Sequence, residues 1–363
     1  MALLCVGDPH FKLENMEAAG RMAEFCVREC TQRGIRGVAV LGDLLHYHRK
    51  LHAQCMTKAI KFLRDLLDAG LEVVVIVGNH DMLSNQTYLD PEGHWLGALK
   101  HWKEHGSSFW VVDMPQEIEM VKSGVRVATC PYVPPGRLLE AMDSVLAPQW
   151  KERADLVLAH QELLGAKMGA MVSESGDVWE DDWPLLVSGH IHDRQWVGKR
   201  AYYPGSSMQH TISEAAHPKS VAVVLAPWRQ DNVEEIPTEV FACAGVIRRD
   251  HATLVSGKGC RETLEELAVL QERGGIKPTL RATMGSREQA GEFRKTAAYR
   301  KLCGVSRVIL DIEDTSPPVG SSASTGGGRV VTVTPELWQK GVLAELKGNE
   351  RAQTLFRDCC RHH

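Results

Sequence analysis

Five short segments of this 363-residue chain carry side chains suited to holding divalent metal ions. In order they read Gly7-Asp8-Pro9-His10, Gly42-Asp43, Gly78-Asn79-His80-Asp81, a lone His160, and Gly189-His190-Ile191-His192. Carboxylate, amide and imidazole donors together suit a pair of transition ions. Calcium takes oxygen ligands alone, and a closed structural zinc site favours thiolates. Two such ions about 3.5–4 Å apart can hold the attacking and leaving oxygens of a phosphate ester in line. Metal-assisted hydrolysis of a phosphate ester is the chemistry implied. Singly, each segment has an ordinary structural reading: Gly-Asp is a common turn, and His160 a histidine at the end of a strand. Two histidines in one tight loop have little structural use. The conjunction of all five, in this order, carries the inference.

Each segment sits at the end of an apolar run. Ala2 to Gly7 leads to Asp8, Gly37 to Leu41 to Asp43, and Leu71 to Val77 to Asn79, while Asp155 to Ala159 precedes His160 and Leu185 to Ser188 precedes His190. The runs are short, rich in Val and Ile, and punctuated by Gly, which reads as buried strand and not as helix. Helical patterns over Glu14 to Arg33 and Leu51 to Leu67 alternate with the first three runs, the signature of βαβ units. The class predicted is α/β, with the polar residues at the carboxyl ends of strands, where open sheets bind ligands.

The motif set resembles the calcineurin-like metallophosphoesterase superfamily, whose fold is a β-sandwich flanked by helices. Position by position, the resemblance implies that Asp8, His10 and His192 hold one metal and that Asn79, His160 and His190 hold the other, with Asp43 bridging. His80 would face the substrate as general acid, oriented by a hydrogen bond to Asp81, and a hydroxide bridging the metals would attack phosphorus. Within the superfamily, the chain is similar to the nuclease subunit of double-strand-break repair complexes, the SbcD and meiotic-recombination-eleven type. Gly42-Asp43-Leu44-Leu45-His46 resembles that branch's Gly-Asp-Leu-Phe-His, and Tyr203-Pro204-Gly205-Ser206-Ser207 its Tyr-Pro-Gly-Ser turn. Leu45 replaces the usual Phe, and a proline common after His48-Arg49-Lys50 is missing. His46 would then lie near the metals and assist exonuclease action. Manganese is the metal the resemblance implies, whereas the residue types alone also admit iron or zinc. Implied partners are DNA, an SMC-like coiled-coil ATPase of the SbcC type, and a second copy of the chain.

The length calls for about two domains. A metallophosphoesterase domain is expected over 1–241, ending in strands Ser220 to Leu225 and Val233 to Phe241. A small α+β cap is expected over 242–312: strand Ala242 to Ile247, helix Arg261 to Arg273, strand Thr279 to Met284, helix Ser286 to Lys301, strand Ser306 to Ile312. A Gly/Ser-rich linker over 313–328 and a helical tail over 329–363 follow, the tail placed where that branch binds its ATPase. Residues 242–312 carry 13 Lys/Arg against 8 Asp/Glu, and residues 1–241 carry 23 against 32. A basic cap suits a phosphate backbone, although surface charge also varies between domains without consequence.

Ten cysteines without framework spacing, and no apolar run of membrane-spanning length, point to a reducing intracellular setting: cytoplasm, or the nucleus or viral factory of a eukaryotic host. Two apolar faces at helical spacing, Leu51-Cys55-Ala59-Phe62-Leu63-Leu66 and Trp95-Leu96-Leu99-Trp102, are either core or a homodimer surface. The leading reading is a metal-dependent DNA exonuclease and endonuclease. Its rivals are a stand-alone phosphoesterase acting on nucleotides or phosphoproteins, and a non-catalytic scaffold of a repair complex. The scaffold is disfavoured because every motif position is intact.

Overall fold

Apolar runs at the predicted positions form strands, most of them buried on both faces. The structure is a computed structural model describing residues 1–102, 108–169, 171–211, 214, 218–238, 246–274 and 278–312. From the amino terminus, β1 (Ala2–Val6), α1 (Met16–Arg33), β2 (Gly37–Val40), α2 (Ala53–Asp68), β3 (Glu72–Ile76) and β4 (Phe109–Val112) build a parallel array. A second series follows: β5 (Gln116–Met120), β6 (Val125–Cys130), α3 (Leu138–Val145), α4 (Trp150–Arg153) and β7 (Leu156–His160). It continues through the hairpin β8 (Lys167–Met168) and β9 (Met171–Val172) to β10 (Leu185–Gly189), β11 (Gln195–Val197) and β12 (Ala201–Tyr203). β13 (Ser220–Leu225) and β14 (Val233–Pro237) return to the first sheet, ordered β14-β13-β1-β2-β3-β4. The second sheet is ordered β11-β12-β10-β7-β6-β5.

Alternation along each strand explains the layers. Leu3 and Cys5 of β1 meet Leu156 and Leu158 of β7 and Leu185 and Val187 of β10 in a core between the sheets. The intervening Leu4 and Val6 face α1 and α2, while Val157 and Leu186 face α3 and α4. Two sheets with helices outside both is the sandwich expected, and a strand buried on both sides needs an apolar residue at every position. The α2 face Cys55-Ala59-Phe62-Leu63-Leu66 is buried in the core shared with α1, and only Leu51 at its start is exposed. Leu96 and Leu99 are buried in that core too, with Trp95 and Trp102 packed on it. Most of both apolar faces is thus buried within the chain, with Leu51 left exposed and Trp95 and Trp102 half-buried. Trp95 to Trp102 also holds a 3-10 helix, Gly97–His101, in place of the α-helix its spacing suggested.

After β14, β15 (Val246–Asp250), α5 (His251–Val255), α6 (Gly257–Gly274), β16 (Thr279–Met284), α7 (Arg287–Lys295), α8 (Ala297–Val305) and β17 (Arg307–Ile312) form a three-stranded parallel sheet with its own core. Leu254, Leu267, Leu280, Met284, Phe293 and Leu302 fill that core. The one helix expected over Ser286 to Lys301 is two. Thr296 adopts an extended backbone and its side chain accepts from the Tyr299 N–H, so it caps a new helix where continuous helix was expected. Residues Met1–Asp314 form one compact unit. The linker and tail expected over 313–363 lie outside the described residues. Among those described, no helix is long and apolar enough to cross a membrane.

Candidate metal centre

All five segments meet at the carboxyl ends of β1, β2, β3, β7 and β10. Their backbones are bent to do so. Asp8 (φ 43°), His10 (φ 45°), Asp43 (φ 49°) and His190 (φ 84°) all adopt positive φ. For residues with a Cβ such conformations cost on the order of 1–3 kcal/mol each and cluster at functional sites. The His10 N–H donates to the Asp43 carbonyl (2.9 Å), tying the first two loops together. The motif glycines have a reason to be glycine. At Gly42 (φ 97°) an added Cβ would lie 2.2 Å from His160 Nδ1, and at Gly78 another would lie 2.2 Å from the Asp43 nitrogen.

The donor atoms fall into two overlapping groups. Ligand atoms of Asp8, His10 and His192 lie within 4.8 Å of one another, as do those of Asp8, Asp43 and His160. His10 Nε2 is 3.2 Å from His192 Nε2. Asn79 Oδ1 is 3.0 Å from both His160 Nε2 and His190 Nδ1, which brings the remaining residues of the second implied set together. Asp43 stands between the halves, with Oδ2 3.4 Å from His10 Nε2 and Oδ1 3.4 Å from His160 Nε2. A carboxylate so placed presents one oxygen to each half, as a bridge can.

Partners that can only accept fix two of the rings. His160 Nδ1 lies 2.7 Å from the Leu41 carbonyl and His192 Nδ1 lies 3.0 Å from the Glu214 carboxylate, so each Nδ1 donates and each Nε2 is left facing the centre. Electrostatics follow from burial and proximity. Burial pushes the Asp8 carboxyl up, more than the neighbouring His160 and His192 lower it. Burial also works upward at Asp43, but the charge and hydrogen bond of His160 outweigh it and leave that carboxyl below the ordinary range. His160 shows the reciprocal effect: burial lowers it, Asp43 overrides this, and the ring rises to about 9. His190 is pushed down to about 3 by burial and by His160.

His80 lies at the rim. Its N–H donates to Asp43 Oδ1 (2.8 Å), and its Nδ1 sits 2.7 Å from the His46 carbonyl, leaving Nε2 for other partners. The expected hydrogen bond from this ring to Asp81 is replaced by another arrangement. The buried Asp81 carboxylate accepts from three backbone N–H groups: Leu45 (2.8 Å), Gly78 (3.0 Å) and Leu44 (3.2 Å). Asp81 thus cross-ties the loops bearing Asp43 and Asn79. An acceptor-only group is drawn to the dense set of amides in those two turns. His46 Nδ1 is 3.3 Å from His10 Nδ1, and the His46, His10 and His80 rings cluster edge-on or stacked. Burial, with Lys12 and His80, lowers His46 to about 4.

Sequence reasoning passed over several neighbours. His48 stacks on His80 with ring centroids 4.3 Å apart. His210 Nε2 is 2.8 Å from the Asp8 carbonyl, and Glu214 and Lys219 back His192. His48 belongs to the basic loop after Gly-Asp-Leu-Leu-His, whereas His210, Glu214 and Lys219 lie in no motif. The only cue is their place just after the Tyr-Pro-Gly-Ser turn, whose Ser207 N–H donates to the Gly7 carbonyl (2.7 Å) and so brings that stretch to the end of β1.

The donors fit a pair of metal ions. Asp8 Oδ2 is fully buried and, among the described residues, has no hydrogen-bond partner, a costly condition unless a cation meets it. Two imidazole Nε2 atoms converging at 3.2 Å beside it point the same way.

Fold and site together define a metallophosphoesterase. Residues 1–194 match the calcineurin-like phosphoesterase family, and the chain belongs to it. Members of this family hydrolyse phosphoesters at a two-metal centre. The chain is 40% identical over 215 residues to "Putative phosphoesterase 078R" of Invertebrate iridescent virus 3, a match covering 59% of this chain and 60% of that protein. It is 37% identical over 213 residues to "Putative phosphoesterase 244L" of Invertebrate iridescent virus 6, covering 59% of this chain and 72% of that one. A solved dimetal phosphatase from Danio rerio is similar with a TM-score of 0.39 and 11% identity, over 61% of this chain and 91% of that one.

Proposed function

We propose that this phosphoesterase is a DNA nuclease using two manganese ions, working with an SMC-like ATPase in repair, recombination or replication. The observation that carries the reading is His46. It stands at the rim of the centre without belonging to either implied ligand set, touching His10 through its ring and His80 through its carbonyl. Simple phosphomonoester hydrolysis has no evident use for this extra imidazole at the rim, whereas a polymer whose strand runs past the scissile phosphate does. The excess of Lys/Arg in residues 242–312 supports the same reading.

When bound, the two metals activate a water and neutralise charge on the phosphate. Asp8, His10 and His192 would hold one ion, and Asn79, His160 and His190 the other. Asp43 would serve both, because its two oxygens face His10 and His160 on the two halves. His80 delivers a proton to the departing sugar oxygen from Nε2, since its Nδ1 is engaged by the His46 carbonyl. Asp81 acts at one remove by keeping the Asp43 and Asn79 loops in register.

The test is hydrolysis of end-labelled duplex and single-stranded DNA with manganese, set beside bis-p-nitrophenyl phosphate. Digestion of DNA with a much larger kcat/KM than the small diester is expected. Turnover of the small diester or of nucleotides without cleavage of DNA would establish the stand-alone phosphoesterase instead.

A further inference from the structure

Behind His192 lies a buried ion pair that the reaction itself does not use. Glu214 is 8% exposed and Lys219 7%. Glu214 Oε1 accepts from His192 Nδ1 (3.0 Å) and from Thr211 Oγ1 (3.1 Å). Its Oε2 accepts from the His210 N–H (3.0 Å) and pairs with Lys219 Nζ at 2.9 Å. The same ammonium donates to the His192 carbonyl (3.0 Å) and to Ser206 Oγ (2.8 Å). Both ends of His192, ring and backbone, are thus held by one pair. Burying two charges costs several kcal/mol per ion before their attraction is counted, so such a pair is a poor device for stability alone.

The histidine across the centre is backed differently. His160 Nδ1 donates to the neutral carbonyl of Leu41. A carboxylate behind a ligating imidazole raises the basicity of the opposite nitrogen more than a carbonyl does. We propose that Glu214, anchored by Lys219, is a positioning residue that makes the Asp8–His10–His192 site the tighter of the two metal sites and the first to fill. The inference rests on the metal-ligand assignment made above. It adds an order of loading and names the residues that set it.

The test is titration of manganese into chelator-stripped full-length protein, followed by calorimetry and by the loss of the free-ion paramagnetic resonance signal. Wild type should show two unequal sites, and His192→Ala should lose the stronger. Glu214→Gln keeps the size but not the charge, and should weaken the stronger site about 10- to 100-fold while leaving the weaker unchanged. The melting temperature of the stripped protein is recorded alongside, because a merely structural role would lower it without separating the two affinities. Unchanged affinities in Glu214→Gln, or equal weakening of both sites, overturn the proposal. Retention of both metals by His192→Ala would instead overturn the ligand assignment beneath it. If Glu214→Gln does not fold, Glu214→Asp decides. It withdraws the carboxylate by one methylene and should weaken the stronger site alone, and unchanged binding there overturns the proposal equally.

Discussion

Asp81 offers the sharpest separation of scaffold from chemistry. Its carboxylate is fully buried and accepts from three backbone amides, Leu45 on Oδ1 and both Leu44 and Gly78 on Oδ2. An asparagine there has one acceptor oxygen. Its better orientation keeps the two amides on the Oδ2 side and turns the NH2 group against the Leu45 N–H, so that both of these donors are left buried without an acceptor. Losing a hydrogen bond to a charged group costs about 1.5–3 kcal/mol, and the two remaining bonds weaken as the charge disappears. Asp81→Asn should therefore destabilise the metal-stripped protein by about 2–4 kcal/mol. Urea denaturation followed by tryptophan fluorescence would show a lower midpoint at unchanged slope, and hydrogen exchange should quicken at Leu44, Leu45 and Gly78. Manganese affinity should fall too, because Asp43 and Asn79 sit on the loops released. A variant with wild-type midpoint and metal content but lost turnover would refute this account and return Asp81 to a direct role on His80.

Four further outcomes are expected. Asp43→Asn should lose activity and bind less metal, since one amide oxygen cannot serve both halves; elemental analysis showing two tightly held ions in an active variant would remove the bridging role. His80→Asn should keep both metals while turnover falls about 10²–10⁴-fold, the usual worth of a positioned general acid. Metal loss in that variant would make His80 a ligand. His46→Ser should impair exonuclease digestion of duplex DNA more than hydrolysis of a small diester, and equal losses on the two substrates would count against the nuclease reading. The pH dependence has a definite sign: with His160 raised to about 9 by Asp43, binding a metal must expel its proton. Apparent affinity should therefore climb with pH towards about 9, and calorimetry in buffers of different ionisation enthalpy should register proton release.

Much of the first sheet was legible because its strands are buried on both sides and so read as unbroken apolar runs. β1, β2 and β3 emerge from that pattern with their ends nearly correct. The ligands were legible for a related reason, since glycine marks the close approach of one loop to another just before each of Asp43 and Asn79. Other features had no local signature. β11 and β12 are three residues each and offer no periodicity to count. The partner of the Asp81 carboxylate could not be read, because backbone amides occur everywhere in a sequence. Glu214 and Lys219 are ordinary surface letters until the Tyr-Pro-Gly-Ser turn folds them against His192. The break at Thr296 was hidden because flanking residues suit a helix on either side.

The division of the donors between the two sheets has a mechanical meaning. Asp8, His10, Asp43 and Asn79 extend from the first sheet, and His160, His190 and His192 from the second. Ions gripped from both sides would rivet one end of the sandwich, so metal supply would govern how firmly the two layers are fastened. A ligand at a hundred times its dissociation constant stabilises the folded state by about 2.7 kcal/mol, a large part of what a typical domain has in hand. Metal starvation would thus leave the protein open to unfolding and proteolysis as well as idle.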